Sequence, residues 1–312
     1  RRFGEVRMKI VAAGATGFIG RALVPELVRA GHEVVVLSRR PGASGVASSG
    51  AREVEWDGKV VAPHWANEID GAGAVVNLAG VGIGDGLWTS SRRVAILKSR
   101  TDSTGALVAA MQALPAERRP ECLINASGIG YYGNRGDEVL GEDARAGTGF
   151  LAETCVEWEK AALEAETLGV RTVLMRTAVV FGKGALQVFL IALPFRLFAG
   201  GPLGDGNFWF PWIHLDDMVG MYRWAIENRE VRGAVNATAP DVRRQREFAK
   251  EMGKALGRPS WFPTPAFALR LALGDFSSLV LDGQRAEPRN AQTHGYEWRF
   301  PTLAAGLGDI LG

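Results

Sequence analysis

Two cysteines, Cys122 and Cys155, stand far apart in a chain of 312 residues. They form neither a disulfide framework nor a metal-type pair, so a reduced, cytoplasmic protein is expected. Charge of one sign is also lacking. The formal net charge is +2, which offers no reason to expect nucleic acid or a charged membrane as partner. Long apolar runs are missing too. The most apolar stretch, ALQVFLIALPFRLF, is broken by Pro194 and Arg196 and falls short of a membrane span. No secretory leader is visible: RRFGEVR is basic but has no apolar core behind it, so Met8 reads as a natural start and residues 1–7 as a short extension. There is no internal repeat, and the longest biased tract, PGASGVASSGA, reads as a surface loop. What is present is a globular composition, 47% hydrophobic and 22% charged, at a length for one large domain or two smaller ones.

Apolar runs alternate with helix-like segments through the first two-thirds. KIVAA precedes an amphipathic FIGRALVPELVRAG. HEVVVLS, AVVNLAG and a helical stretch from about Thr89 to Leu114 follow, then CLINAS, a second helical stretch from about Gly149 to Leu168, and VRTVLMRT. Strands this apolar, separated by helices, predict a parallel sheet covered on both faces, hence a Rossmann-type doubly wound α/β fold. After Arg176 the alternation weakens, then resumes with DDMVGMYRWAIEN and GAVNATA. The expected division is a nucleotide-binding lobe over 8–180, rejoined by 215–239. A smaller, mainly helical substrate lobe would comprise 181–214 and 240–312.

GATGFIG, Gly14 to Gly20, falls between the first strand and the first helix. Gly14 suits a tight turn, Gly17 a close approach of backbone to pyrophosphate, and Gly20 close packing of helix on sheet. The helix N-terminus would add unpaired N–H groups and its positive dipole end. The second strand ends in LSRR, without the carboxylate that an NAD-preferring site places there. A guanidinium in that place suits a 2′-phosphate, so NADP(H) is the expected cofactor.

These motifs, with VVNLAG, INASGIGYYG, LMRTAVVFG and GDGNFWFPWIHLDDM in order, resemble the extended short-chain dehydrogenase/reductases, the group containing nucleotide-sugar epimerases. LWT, KSR, CVEWE, PFRL, GQRAEP and GYEWRFP are similar to an atypical branch often labelled "epimerase family protein". The resemblance implies roles position by position. Gly14, Thr16, Gly17, Phe18 and Ile19 would hold the pyrophosphate, and Ser38 and Arg39 the 2′-phosphate. Trp56 and Asp57 would lie beside adenine, or Trp56 would cover the sheet edge. Leu78, Ala79 and Gly80 would run under the ribose. Arg176 and Thr177 would lie near the nicotinamide. Ser127 falls at the place of the catalytic Ser or Thr.

The chain departs from the family where protons move. The family pairs a Tyr with a Lys four residues on, both on one helical face. Here the matching helix reads LAETCVEWEKAA, with Cys155 and Glu159 in those places and Lys160 turned away. The charge expected near the cofactor has changed sign. Tyr131 and Tyr132 are candidate general acids, substrate contacts or packing residues. Glu159 is a candidate base or ribose contact. Cys155 lacks an activating His and is not read as a nucleophile. Either another group does the acid/base work, or the chain is a non-catalytic NADP(H)-binding regulatory protein.

On the substrate side, Phe208, Trp209, Phe210 and Trp212 form either a stacking wall or packing between lobes. His214, Asp216 and Asp217 look like metal ligands, but the resemblance makes them a lobe junction and helix start, and no metal is expected. Trp88, Arg92 and Arg100 belong to the branch pattern. Arg92 would meet cofactor phosphates or a substrate anion, or be solvated. The expected partner is a small molecule, a sugar nucleotide or carbonyl compound.

Overall fold

The computed structural model describes residues 7–312; the extension expected at the N-terminus lies, but for Arg7, outside the described residues. In chain order the first half holds β1 (Lys9–Ala13), α1 (Phe18–Arg29), β2 (Glu33–Ser38), β3 (Arg52–Glu55), α2 (Pro63–Ala66), β4 (Ala74–Asn77), α3 (Ser90–Gln112), β5 (Cys122–Gly128), β6 (Val139–Leu140) and α4 (Phe150–Leu163). Then come β7 (Arg171–Thr177), β8 (Val179–Phe181), α5 (Leu186–Arg196), β9 (Trp209–Phe210), β10 (Trp212–His214), α6 (Leu215–Glu227) and β11 (Gly233–Ala237). The remainder is β12 (Arg243–Arg244), α7 (Gln245–Leu256), α8 (Ala266–Leu273), α9 (Ser278–Leu281), β13 (Arg285–Ala286), α10 (Arg289–Thr293) and α11 (Leu303–Leu311).

Seven strands form one parallel sheet in the order β11-β7-β5-β4-β1-β2-β3. The apolar runs have a direct cause. Side chains alternate between faces, and both faces are covered. Ile10, Ala12, Val34, Val36, Val76 and Met175 pack on one side with α1 and α6. Val11, Ala13, Val35, Leu37, Val75 and Leu174 pack on the other with α3. Each Val, Ile, Leu or Met among them contributes about 1.5–3 kcal/mol of burial.

Local signals set the helix ends. Thr89 caps α3 by accepting from the Arg92 N–H at 3.3 Å. α4 stops at Leu163 and tightens into a 3-10 turn over Glu164–Leu168, which accounts for the longer helix expected there. The strand order reverses between β1 and β4, and at such a switch point the strand ends diverge and leave a crevice. No helix among the described residues is long and apolar enough to cross a membrane.

Candidate active site

The C-terminal ends of β1, β2, β3, β4, β5 and β7 line one edge of the sheet and carry the residues singled out above. At the switch point the Gly14 N–H donates to the Leu37 carbonyl at 3.0 Å, and Gly14 has φ +70°. A Cβ there would lie 2.6 Å from the Ala79 Cα, so the turn and the β4 end exclude any side chain. At Gly20 a Cβ would meet the Ala15 carbonyl oxygen at 2.3 Å. Gly17 is the opposite case: it is exposed, and a Cβ would meet nothing within 4 Å. Gly17 is also the N-cap of α1 and gives no side-chain cap, and the helix has no acidic residue in its first turn. The first-turn N–H groups therefore face a cradle suited to an anion. Thr16, Phe18 and Ile19 flank it, half-buried.

At the end of β2, Ser38 is buried and its Oγ accepts from the Arg40 N–H at 3.1 Å, while Arg39 and Arg40 are exposed. After β3, Trp56 is buried against Trp65, ring centroids 5.7 Å apart. Its indole N–H has no partner. Asp57 is exposed and accepts from the Lys59 and Val60 N–H groups at 2.8 and 3.0 Å. At the end of β4, buried Asn77 donates to Thr104 at 2.9 Å and Asn125 at 2.8 Å and accepts from the Ala79 N–H at 3.1 Å. That polar cluster fixes the Leu78–Gly80 backbone, half-buried at Leu78 and Ala79 and exposed at Gly80. Arg92 donates to the Gly82 carbonyl at 2.7 Å, with its Nε buried and unpartnered.

The other end of the edge is closed on itself. Ser127 donates to Glu159 Oε1 at 2.6 Å. Arg176 grips the same carboxylate with Nε and Nη2, both at 2.8 Å. Its Nη1 donates to the Tyr132 hydroxyl at 2.9 Å and the Glu142 carbonyl at 3.1 Å. Tyr132 donates to Asn236 Oδ1 at 2.7 Å, and Glu142 Oε1 accepts the Asn236 N–H at 3.0 Å. Burial alone would lower the Arg176 pKa, but the Glu159 carboxylate more than offsets it and holds the guanidinium charged.

This geometry corrects several expectations. The sign of charge has not simply reversed: Glu159 is neutralised by Arg176, which sits four per cent exposed inside the protein rather than against a nicotinamide. Glu159, itself four per cent exposed, has both oxygens engaged and offers no base and no ribose contact. Tyr132 is fully buried, and burial pushes its hydroxyl up to about 12, so it is no general acid. Burial and Glu159 push the Cys155 thiol up to about 11, and it points at the Gly128 carbonyl. Tyr131 differs from its neighbour. It is half-buried, with its ring 3.5 Å from the Arg176 guanidinium carbon. Ser127 is buried, with its one proton committed to Glu159, so it offers lone pairs only.

Farther along, Phe181, Phe210, Trp212 and Phe248 pack together, so Phe210 and Trp212 serve packing. Trp209 lies between Arg244 and Arg285. His214 caps α6, and Asp217 accepts from the Arg299 and Phe300 N–H groups. No group of potential metal ligands occurs among the described residues. Glu142 and Asn236 went unnoticed as sequence. Neither lies in a recognisable spacing; Asn236 arrives through the pairing of β11 with β7, and Glu142 from the turn after β6.

A parallel sheet with a glycine turn at its switch point, and a Ser on the adjoining strand, defines a short-chain dehydrogenase/reductase of the extended type, atypical in lacking the Tyr/Lys pair. The chain belongs to the NAD dependent epimerase/dehydratase family, whose pattern matches residues 10–237; a domain of unknown function, DUF1731, matches 264–310. It is 38% identical to "Epimerase family protein SDR39U1 homolog, chloroplastic" of Arabidopsis thaliana, over 98% of this chain and 88% of that one. The human epimerase family protein SDR39U1 (isoform 2), solved with NADPH, superposes with a TM-score of 0.85 at 32% identity, covering 97% of this chain and 99% of that one. A nucleoside-diphosphate sugar epimerase from Corynebacterium glutamicum superposes with a TM-score of 0.78 at 30% identity, covering 99% of this chain and 59% of that one.

Proposed function

We propose that this protein is an NADP(H)-dependent oxidoreductase or epimerase-like enzyme acting on a carbonyl or sugar-nucleotide substrate. One observation carries the reading: an open glycine cradle at Gly17 beside an exposed guanidinium at Arg39, with no carboxylate at the end of β2. The human relative solved with NADPH supports it. Gly14, Thr16, Gly17, Phe18 and Ile19 would hold the pyrophosphate, Ser38 and Arg39 the 2′-phosphate, and Leu78–Gly80 the ribose. Bound there, the nicotinamide supplies or accepts hydride. Ser127 orients a substrate hydroxyl by accepting its proton in a hydrogen bond. Tyr131, half-buried on the loop after β5, is the phenol available to give or take a proton. The two-lobe division at residues 180, 215 and 239 belongs to the same reading: β11 pairs with β7, which returns the chain to the nucleotide side.

A second reading, a regulatory protein that binds NADP(H) without turnover, draws on Cys155 and Glu159 standing where the family has Tyr and Lys. NADPH fluorescence, followed by NADPH oxidation across panels of carbonyl compounds and sugar nucleotides, separates the two. Tight NADPH binding with turnover that Tyr131→Phe abolishes is the expected result. Binding with no turnover on any panel would transfer the protein to the regulatory reading.

A further inference from the structure

Arg100 projects from α3 to the backbone just after β4 and to α4. Its Nη1 donates to the Val81 and Ile96 carbonyls at 3.0 and 2.9 Å. Its guanidinium carbon stands 4.9 Å from the Trp158 ring centroid. A Cβ built on Gly80 would approach that guanidinium to 3.2 Å. Trp158 and Cys155 both belong to α4, three residues apart. One cation thus joins Gly80, Trp158 and the position where the family carries its Tyr.

Its surroundings differ from those of two other inward arginines. Arg176 is paired with Glu159, and Arg171, which also has no carboxylate, has both Nη groups engaged by the Ala225, Val231 and Ile226 carbonyls. Among the described residues no carboxylate pairs with Arg100, and no acceptor engages its Nε or Nη2. Burial lowers its pKa, the mark of a desolvated charge without a counter-charge. Arg100 is half-buried, and its Nε and Nη2 are not among the buried unpartnered atoms, so that edge of the guanidinium is accessible to an anion.

We propose that Arg100 is the anion-binding residue at the substrate end of the cleft, where it takes a carboxylate or phosphate of the substrate beside Gly80 and Cys155. The proposal rests on the reading that the glycine turn holds NADP(H). The guanidinium borders Gly80, which the coenzyme reading places under the ribose, and reaches past it to Trp158 on α4, away from the Gly17 cradle; that direction favours substrate over coenzyme. The unengaged guanidinium edge fits a two-oxygen acceptor. Trp158 lies against the guanidinium and holds it in place. Gly80 leaves the approach clear.

Calorimetric titration with malonate and with inorganic phosphate, each with and without saturating NADPH, tests this. The wild type is expected to bind at least one probe, and Arg100→Gln to weaken it by about tenfold or more. Arg100→Lys should recover part of that loss, and NADPH affinity in Arg100→Gln should stay within about twofold of wild type. Three results overturn the proposal: neither probe binds the wild type, Arg100→Gln binds as the wild type does, or Arg100→Gln loses NADPH in proportion. The last would assign the guanidinium to the coenzyme diphosphate. A wild type that ignores NADPH yet binds a probe through Arg100 removes the coenzyme reading and leaves the anion site standing. Should Arg100→Gln not fold, Gly80→Ala, which crowds the guanidinium, must weaken the probe by about fivefold or more; unchanged binding overturns the site.

Discussion

The two ends of the strand edge treat their polar groups in opposite ways. At the glycine turn the α1 N-terminus has no cap, Gly17 faces open space and Arg39 is exposed. At the Ser127 end, Ser127, Glu159, Arg176, Tyr132 and Asn236 satisfy one another within 2.6–2.9 Å. Uncommitted groups suit a ligand, whereas Glu159, Arg176, Tyr132 and Asn236, mutually satisfied, act as scaffold. The Tyr/Lys pair has therefore not been exchanged for another proton-transfer pair at the same place. An internal ion pair occupies its ground, and Tyr131, half-buried, is the phenol outside that closed network.

The sharpest way to break this contrast is at Glu159. Glu159→Gln leaves the buried Arg176 charge without its partner and should destabilise the protein by about 3–5 kcal/mol. Urea unfolding measures it. Replacing both partners, Glu159→Leu with Arg176→Met, should cost much less, because no buried charge is left alone. A single variant losing less than about 1 kcal/mol would show a hydrated network and erase the difference between the two ends.

The opening half of the site was legible because its determinants are local. Three glycines between a strand and a helix, and LSRR after β2, state their geometry within a few residues. The absent Tyr and Lys were equally visible. What replaced them was not, since the compensating charge comes from another element. Arg176 lies 17 residues from Glu159 on β7 and Tyr132 on the β5 loop, and Asn236 arrives only because β11 pairs with β7. Charge complementarity across packed elements leaves no spacing to read. Trp56 shows a similar limit. Its neighbour Trp65 belongs to α2, too short a helix to announce itself by periodicity.

Arg39→Ala tests the ligand-facing end. Loss of a charge-assisted contact to the 2′-phosphate should weaken NADPH by about 1.5–3 kcal/mol and leave NADH nearly unchanged. Equal weakening of both coenzymes, measured by fluorescence titration, would contradict it. Tyr132→Phe tests the closed end on a smaller scale. It deprives Asn236 of a donor and Arg176 of an acceptor and should lower stability by about 1–3 kcal/mol. Tyr131→Phe, with no buried partner to orphan, should change stability by less than about 0.5 kcal/mol. Equal effects would mean that the two tyrosines share one environment.

The smallest effect is a pH dependence outside both ends. His32 and His214 are buried, and burial lowers both pKa values from 6.5. Glu227 opposes this at His32; Asp216, Asp309 and Asp217 oppose it at His214. The folded protein therefore binds these protons less readily than the unfolded chain. Stability is intact above the unfolded value of 6.5 and declines as pH falls through it, levelling once both folded values are passed. Each unit of depression is worth about 1.4 kcal/mol at most. His32 is the simpler of the two to replace, because its Nδ1 has no partner and its Nε2 meets only Glu227 at 3.8 Å, whereas His214 caps α6. His32→Asn should flatten part of the decline in melting temperature between pH 7.5 and 5.5, ~1–3 °C for a chain of this size. A variant whose slope matches the wild type would place the acid sensitivity elsewhere, with the buried carboxyls of Glu142 and Asp217 excluded as its source. Their pKa values are raised by burial, so protonation at falling pH strengthens rather than weakens the fold.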